Sequence, residues 1–185
     1  RLWAYLIHGG SRNAGNFLHH AAHLAGRSVE ADLPLTLPRA GCHWPGRGDV
    51  ALEDIATLWK PGRPVAAIVF YRALVQASDV APIDALVAAL DEQGLNALPL
   101  YSQSLKEQAG AAFVEEALAL HAPAVIVNCT GFALASPGAE RGPTPFDGAD
   151  CPILQAVLSG GTFDAWNEGL RGMAPRDIAM NVALP

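Results

Sequence analysis

Apolar residues along the chain fall into short blocks with two rhythms. Leu2-Trp3-Ala4-Tyr5-Leu6-Ile7 is unbroken and closed by Gly9-Gly10, which predicts a buried strand. From Ser11, read as an N-cap, Phe17, Leu18, Ala21, Ala22, Leu24 and Ala25 recur at helical spacing until Gly26. Across 30–48 both rhythms are lost, and Pro34, Pro38, Pro45, Gly41, Gly46 and Gly48 predict a linker with little regular structure. Asp49 is then expected to cap a short amphipathic helix carrying Leu52, Ile55, Ala56, Leu58 and Trp59, stopped by Lys60-Pro61-Gly62.

Beyond this point the pattern is regular. Val65-Ala66-Ala67-Ile68-Val69-Phe70-Tyr71 is apolar throughout, as strands covered on both faces are. Asp79 and Pro82 open a helix with Ile83, Leu86, Val87 and Leu90 on one face, ended by Gly94. The spacing then predicts a strand over 96–101, a helix over 111–120 and a strand over 124–128. A Gly- and Pro-rich loop over 131–150 leads to a strand over 153–158. Thr162 is expected to cap a helix over 163–168, and Pro175 to open another containing Ile178, Met180 and Val182. Strands alternating with helices mean an α/β fold built on a parallel sheet with right-handed crossovers. The expected organisation is a strand-helix segment at 1–29, the linker at 30–48 and an α/β domain at 49–185.

Composition narrows the function classes. With 185 residues, 51% of them hydrophobic and 16% charged, the chain has the apolar surface for a core and is not intrinsically disordered. No apolar run approaches the roughly 20 residues needed to span a bilayer. The net charge of −6, with no Lys/Arg cluster, argues against nucleic acid as a partner. Ten Arg against two Lys suits bidentate recognition of carboxylates and is equally what a GC-rich genome would produce. Cys42, Cys129 and Cys151 are odd in number and widely spaced, so neither a disulfide framework nor a zinc ribbon is suggested, and a reducing cytoplasm is expected. Arg1 at the start and Leu184-Pro185 at the end read as cuts in a longer protein.

Ligands of open parallel sheets bind beyond the carboxyl ends of the strands. That rule selects His8-Gly9-Gly10-Ser11, Tyr71-Arg72, Ser102-Gln103-Ser104, Asn128-Cys129-Thr130-Gly131 and Ser159-Gly160-Gly161-Thr162, any of which could also be an ordinary surface turn. Arg72 is the only charge between Val65 and Gln76, and its guanidinium would pair with an internal or a ligand carboxylate. His19 and His23 stand four apart on a predicted helix without a third ligand, so they read as a solvated face rather than a metal site. Gly10 to Gly15 has the glycine spacing of a phosphate loop, but Asn16-Phe17 replaces the required Lys-Ser/Thr, so no nucleotide site is expected. No Gly-x-Ser-x-Gly elbow occurs, and Cys129 reads as a small core residue.

Four separated segments carry a family resemblance. They are Leu37-Pro38-Arg39-Ala40-Gly41-Cys42-His43-Trp44-Pro45-Gly46, Ile68-Val69-Phe70-Tyr71-Arg72-Ala73-Leu74-Val75-Gln76-Ala77-Ser78-Asp79, Asn128-Cys129-Thr130-Gly131-Phe132-Ala133-Leu134, and residues 169–185. In this order they resemble the large subunit of aerobic cobaltochelatase, which is grouped with the porphyrin-binding large subunit of magnesium chelatase. The resemblance implies a flavodoxin-like open sheet with helices on both faces, forming an internal piece of a much longer subunit. It implies cobalt, as substrate ion, inserted into hydrogenobyrinic acid a,c-diamide on the way to cobalamin. ATP would be hydrolysed by separate AAA+-type motor subunits, in keeping with the missing phosphate loop. Magnesium subunits tend to carry Arg-Ser-His where this chain has Arg72-Ala73-Leu74, which favours cobalt. Relatives often place His directly before the proline matching Pro45, whereas here Trp44 holds that position and His43 lies one residue earlier.

Metal insertion needs a partly dehydrated ion, removal of pyrrolic protons and a grip on the ring's peripheral carboxylates. On this basis Arg72 is the expected grip and His8 the expected base, with Ser102, Asn128, Thr130 and Ser159 as polar lining; no residue is assigned to the metal. The chain alone is expected to be inactive, its site completed by the remainder of the large subunit. A magnesium chelatase fragment and a non-catalytic flavodoxin-like binding module are the rival expectations.

Overall fold

A computed structural model describes residues 1–131, 142–169 and 175–178. Two helices, α1 (Leu2–His8) and α2 (Ser11–Leu24), precede a hairpin of β1 (Ala40–Trp44) and β2 (Gly48–Val50). After a 3-10 turn at Ile55–Leu58 come β3 (Val65–Tyr71), α3 (Arg72–Ala77), α4 (Ala81–Glu92), β4 (Asn96–Ser102), α5 (Gln108–His121) and β5 (Val125–Asn128). The short elements β6 (Ile153–Gln155), α6 (Phe163–Asn167) and α7 (Pro175–Ile178) follow. Among the described residues the strands form one sheet in the order β2-β1-β4-β3-β5-β6. The last four run parallel, and β1 lies antiparallel to both β2 and β4. In parallel-strand numbering this order is 2-1-3-4, the start of the flavodoxin-like arrangement.

The central strands are continuously apolar because both of their faces are covered. Ala67 and Val69 of β3 join Leu98, Leu100 and Ile126 on one face, under Val114, Ala117 and Leu118 of α5. Ile68 and Phe70 point to the other face with Ala97 and Tyr101, beneath Ile83 and Val87 of α4. Helices therefore flank the sheet on both sides, as expected. Full burial of each large apolar side chain contributes about 1.5–3 kcal/mol, which makes this two-sided layer the dominant stabilising element.

Several expectations need correction. Residues 2–7 are helical, not a strand: Tyr5 is buried while Trp3, Leu6 and Ile7 are exposed. A six-residue apolar run cannot by itself distinguish the two states, and here Tyr5 is the one buried side chain of the helix, its hydroxyl donating to the Asp32 carbonyl. Gly9 and Gly10, both at positive φ, then turn the chain into α2. A side chain at Gly9 would collide with the carbonyl of Gln76. Ser11 is the first residue of α2, with Gly10 in the cap position.

The stretch read as a linker ends in sheet, so strands on both sides of residue 49 share one layer. Its glycines serve the hairpin: Gly46 and Gly48 adopt positive φ at the turn between β1 and β2. Asp49 belongs to β2 rather than capping a helix, and only a 3-10 turn forms behind it. Arg72, expected in a loop, starts α3. Strand β6 ends at Gln155, three residues short of the predicted span. Thr162 does cap α6, its hydroxyl accepting from the Ala165 amide at 3.2 Å. Met180, Val182, most of the 169–185 segment and positions 132–141 of the predicted loop lie outside the described residues.

Candidate functional site

The parallel register brings the strand ends together. Tyr71 lies opposite Ser102, Asn128 lies opposite Val69 and Gln155, and the Cys129 amide donates to the Val69 carbonyl at 2.7 Å. The Gly131 amide donates to the Tyr71 hydroxyl at 3.2 Å, tying the ends of β3 and β5. These are the two strands at which the strand order reverses, the usual crevice of such sheets.

Arg72 opens α3 at this edge. Its guanidinium donates to the Pro38 carbonyl from Nε at 2.7 Å, to the Leu37 carbonyl from Nη2 at 3.0 Å and to Gln76 Oε1 from Nη1 at 3.0 Å. Gln76 in turn donates from Nε2 to the Ile7 carbonyl at 2.6 Å, and its own carbonyl accepts from the Gly10 amide at 2.8 Å. This chain of bonds carries the end of α1 over the sheet edge. His8 thus reaches a cleft of about 630 Å³ shared with Tyr71, Arg72, Arg39, Gln76 and Gln103. Its Nδ1 is buried and has no hydrogen-bond partner. His8 arrives there from a helix end, not from the strand end that the sequence suggested.

The remaining expected lining residues are engaged elsewhere, and neither cleft described here is lined by them. Ser102 is buried, its hydroxyl donating to the Ser104 carbonyl at 3.2 Å, packed so closely against Gly110 that a Cβ there would strike it. Asn128 donates to Gln155 Oε1 at 2.9 Å and accepts from both the amide and the hydroxyl of Thr130. Thr130 is buried, and its carbonyl accepts from Gln155 at 2.7 Å. Ser159 is exposed beyond β6, accepting from the Gly161 amide.

A second cleft of about 630 Å³ adjoins the first, sharing Thr36 and Leu37. It runs between the start of α2 and the β1–β2 hairpin, and His43, Asp49, Asp84, Arg12 and Arg47 are among its walls. The strap over 31–38 that separates the clefts is held by Asn13, which exchanges two bonds with the Leu35 backbone, and by Asn16, which accepts from the Asp32 amide.

Alternation along β1 sends Cys42 to one face of the sheet and His43 to the other. His43 Nε2 lies 2.7 Å from Asp84 Oδ1, with the imidazole side chain only 5% exposed and Asp84 36% exposed. The ring stands edge-on to Phe70, and Nδ1 is buried without a partner. Next to this pair, the Tyr101 hydroxyl donates to Asp49. Burial, then that bond, holds the phenol far above its ordinary range.

Sequence reasoning noted His43 one residue before the position its relatives use and read Asp49 as a helix cap, but it did not bring either together with Asp84 or Tyr101. The signal was the period-two pattern through Cys42-His43-Trp44, obscured by the prolines and glycines around it. Burial pushes the Cys42 thiol up to about 12 and that of Cys129 up to about 11, which disfavours the nucleophilic thiolate at both positions. Among the described residues no group of three His, Cys, Asp or Glu side chains could hold a metal ion.

A family model described as CobN/Magnesium Chelatase matches residues 3–185. The whole chain is 40% identical to the aerobic cobaltochelatase subunit CobN of Sinorhizobium and 42% identical to that of Pseudomonas aeruginosa, covering 15% of each. The magnesium-chelatase H subunit of Cereibacter sphaeroides is 26% identical over 90% of the chain and 14% of its own length. The catalytic subunit of cobaltochelatase from Mycobacterium tuberculosis has the same fold, with a TM-score of 0.70 over the whole chain and 15% of that protein, at 24% identity. The chain therefore spans about one-seventh of these relatives, and a model matching nearly its full length shows that it belongs to the CobN/magnesium chelatase family.

Proposed function

We propose that this chain is a wall of the tetrapyrrole site in the large subunit of an ATP-dependent cobalt chelatase, which inserts cobalt into hydrogenobyrinic acid a,c-diamide in the cytoplasm. The observation that carries this reading is the cleft where His8 and Arg72 meet the ends of the parallel strands. Its volume lies within the range of about 300–1,000 Å³ usual for small-molecule sites. Cobalt is favoured over magnesium because the cobaltochelatase relatives are 40–42% identical and the magnesium-chelatase relatives 26–28%.

In this reading Arg72 grips a peripheral carboxylate with the two N–H groups not committed to Leu37, Pro38 and Gln76. His8, which lines the same cleft, takes a proton from the ring. Asn128, Thr130, Ser102 and Ser159 support the strand-end loops. Cobalt is the substrate ion, ATP is consumed by separate AAA+-type motor subunits, and the remainder of the large subunit closes the site. Residues 1–185 alone insert no metal. Titration of the full-length protein with the diamide tests this: Arg72→Ala weakens binding about tenfold or more, the loss expected when a charge-assisted bond worth roughly 1.5–3 kcal/mol is removed. Unchanged affinity removes Arg72 from the site, and no affinity for any tetrapyrrole in the wild type favours a non-catalytic flavodoxin-like module.

A further inference from the structure

The second cleft contains a histidine whose placement packing alone does not account for. His43 is almost wholly enclosed between the sheet and α4, yet one ring nitrogen is satisfied by Asp84 and the other by nothing. Buried polar atoms are nearly always paired, so an unpaired one asks for an explanation. Asp84 stands in the first turn of α4, where the helix N-terminus favours a carboxylate, and it opens onto the cleft. The pair is thus a carboxylate facing the cleft, backed by an imidazole that is nearly buried in the cleft wall.

Resting on the reading that the clefts receive a tetrapyrrole, we propose that Asp84, oriented by His43, accepts protons from the pyrrolic N–H groups of a ring whose carboxylates meet Arg12 and Arg47. Asp84 is the catalytic residue and His43 the positioning residue. In the step, an N–H bond of the ring breaks and its electron pair stays on the nitrogen, free to bind the incoming divalent ion. The proton forms an O–H bond on Asp84, and no redox change occurs. An imidazole on the other carboxylate oxygen keeps that carboxylate aligned and lets the pair share the proton. The two clefts adjoin at Thr36 and Leu37, so a macrocycle extending from one into the other meets both His8 and Asp84. The other charged groups lining this cleft are Arg12 on α2 and Arg47 and Asp49 on the hairpin, with the Tyr101 hydroxyl of β4 bonded to Asp49.

The test uses the full-length protein with its motor subunits, measuring initial rates of cobalt insertion against pH and, separately, affinity for hydrogenobyrinic acid a,c-diamide. Asp84→Asn lowers kcat roughly a hundredfold, the usual size of a lost proton acceptor, with affinity within about twofold of wild type. His43→Gln keeps a donor toward Asp84 but cannot titrate, and it moves the midpoint of the pH–kcat profile. Wild-type kcat and midpoint in both variants overturn the assignment while leaving the wall reading intact. If Asp84→Asn does not fold, the His43→Gln midpoint decides alone. A wild-type protein that binds no tetrapyrrole overturns both readings.

Discussion

Arg72 Nη1 and Gln76 Oε1, one helical turn apart on α3, meet at 3.0 Å, and through this contact the first helix of the chain is fastened to the sheet. The two side chains divide the work. Arg72 holds the strap through the Leu37 and Pro38 carbonyls, and Gln76 holds the end of α1 through the Ile7 carbonyl. His8 sits over the strand ends because of this fastening, not because of its own contacts.

Gln76→Ala removes both side-chain bonds, a loss of about 1–3 kcal/mol for two hydrogen bonds. The Gly10 amide bond to the Gln76 backbone survives, so α1 loosens without leaving. Amide exchange in residues 2–8 is expected to speed roughly tenfold or more while β3 and β4 stay protected. Equal protection of α1 in the variant would show that Gln76 does not anchor it.

Gly41 is required by its neighbour across the sheet. A Cβ there would lie 2.5 Å from the Tyr101 hydroxyl and 2.8 Å from Asp49 Oδ1, both already joined to each other. Gly41→Ala is expected to cost about 1–3 kcal/mol by overpacking, read from denaturant unfolding. The double variant Gly41→Ala with Tyr101→Phe removes the obstructing hydroxyl and recovers part of that loss relative to Tyr101→Phe alone.

Alkaline pH weakens the fold through buried thiols. Burial raises Cys42 to about 12 and Cys129 to about 11 from an ordinary 9.0, so the unfolded chain releases these protons first. The unfolded state then binds fewer protons than the folded state, and stability falls as pH rises from about 9 toward 11–12. Each thiol contributes up to about 1.4 kcal/mol per pH unit in that window. Unfolding midpoints measured across it decline, and Cys42→Ala declines less steeply.

Phe70 lies at the centre of the α4 side of the sheet, fully buried against Tyr101 and edge-on to His43. Phe70→Ala is expected to cost about 3–5 kcal/mol, read from denaturant unfolding. It also frees the His43 ring, so the unfolding transition moves together with the environment of the His43–Asp84 pair.

The legible part of this fold was its repetitive part. Strand β3 was readable to the residue because seven apolar positions in a row have no partner but a sheet covered twice, and α4, β4, α5 and β5 were readable to within about three residues. The run 2–7 was misread because six apolar residues look alike in either state, and only the turn at Gly9-Gly10 and the Tyr5 anchor decide it. The hairpin was hidden because its turn glycines resemble a linker. For the candidate site, the strand-end rule led to Tyr71 and Arg72 and, by the wrong element, to His8, which share one cleft, whereas Ser102, Asn128, Thr130 and Ser159 line neither cleft. It could not find His43 and Asp84, which lie 41 positions apart and meet only once β1 joins the sheet edge over α4.

A structure of the full-length protein with hydrogenobyrinic acid a,c-diamide bound tests the central claim most directly. The ring edge is expected within van der Waals distance of Arg72 and His8, with a peripheral carboxylate on the guanidinium. A macrocycle held wholly by other parts of the large subunit, leaving both clefts of this chain filled by protein or water, would contradict it.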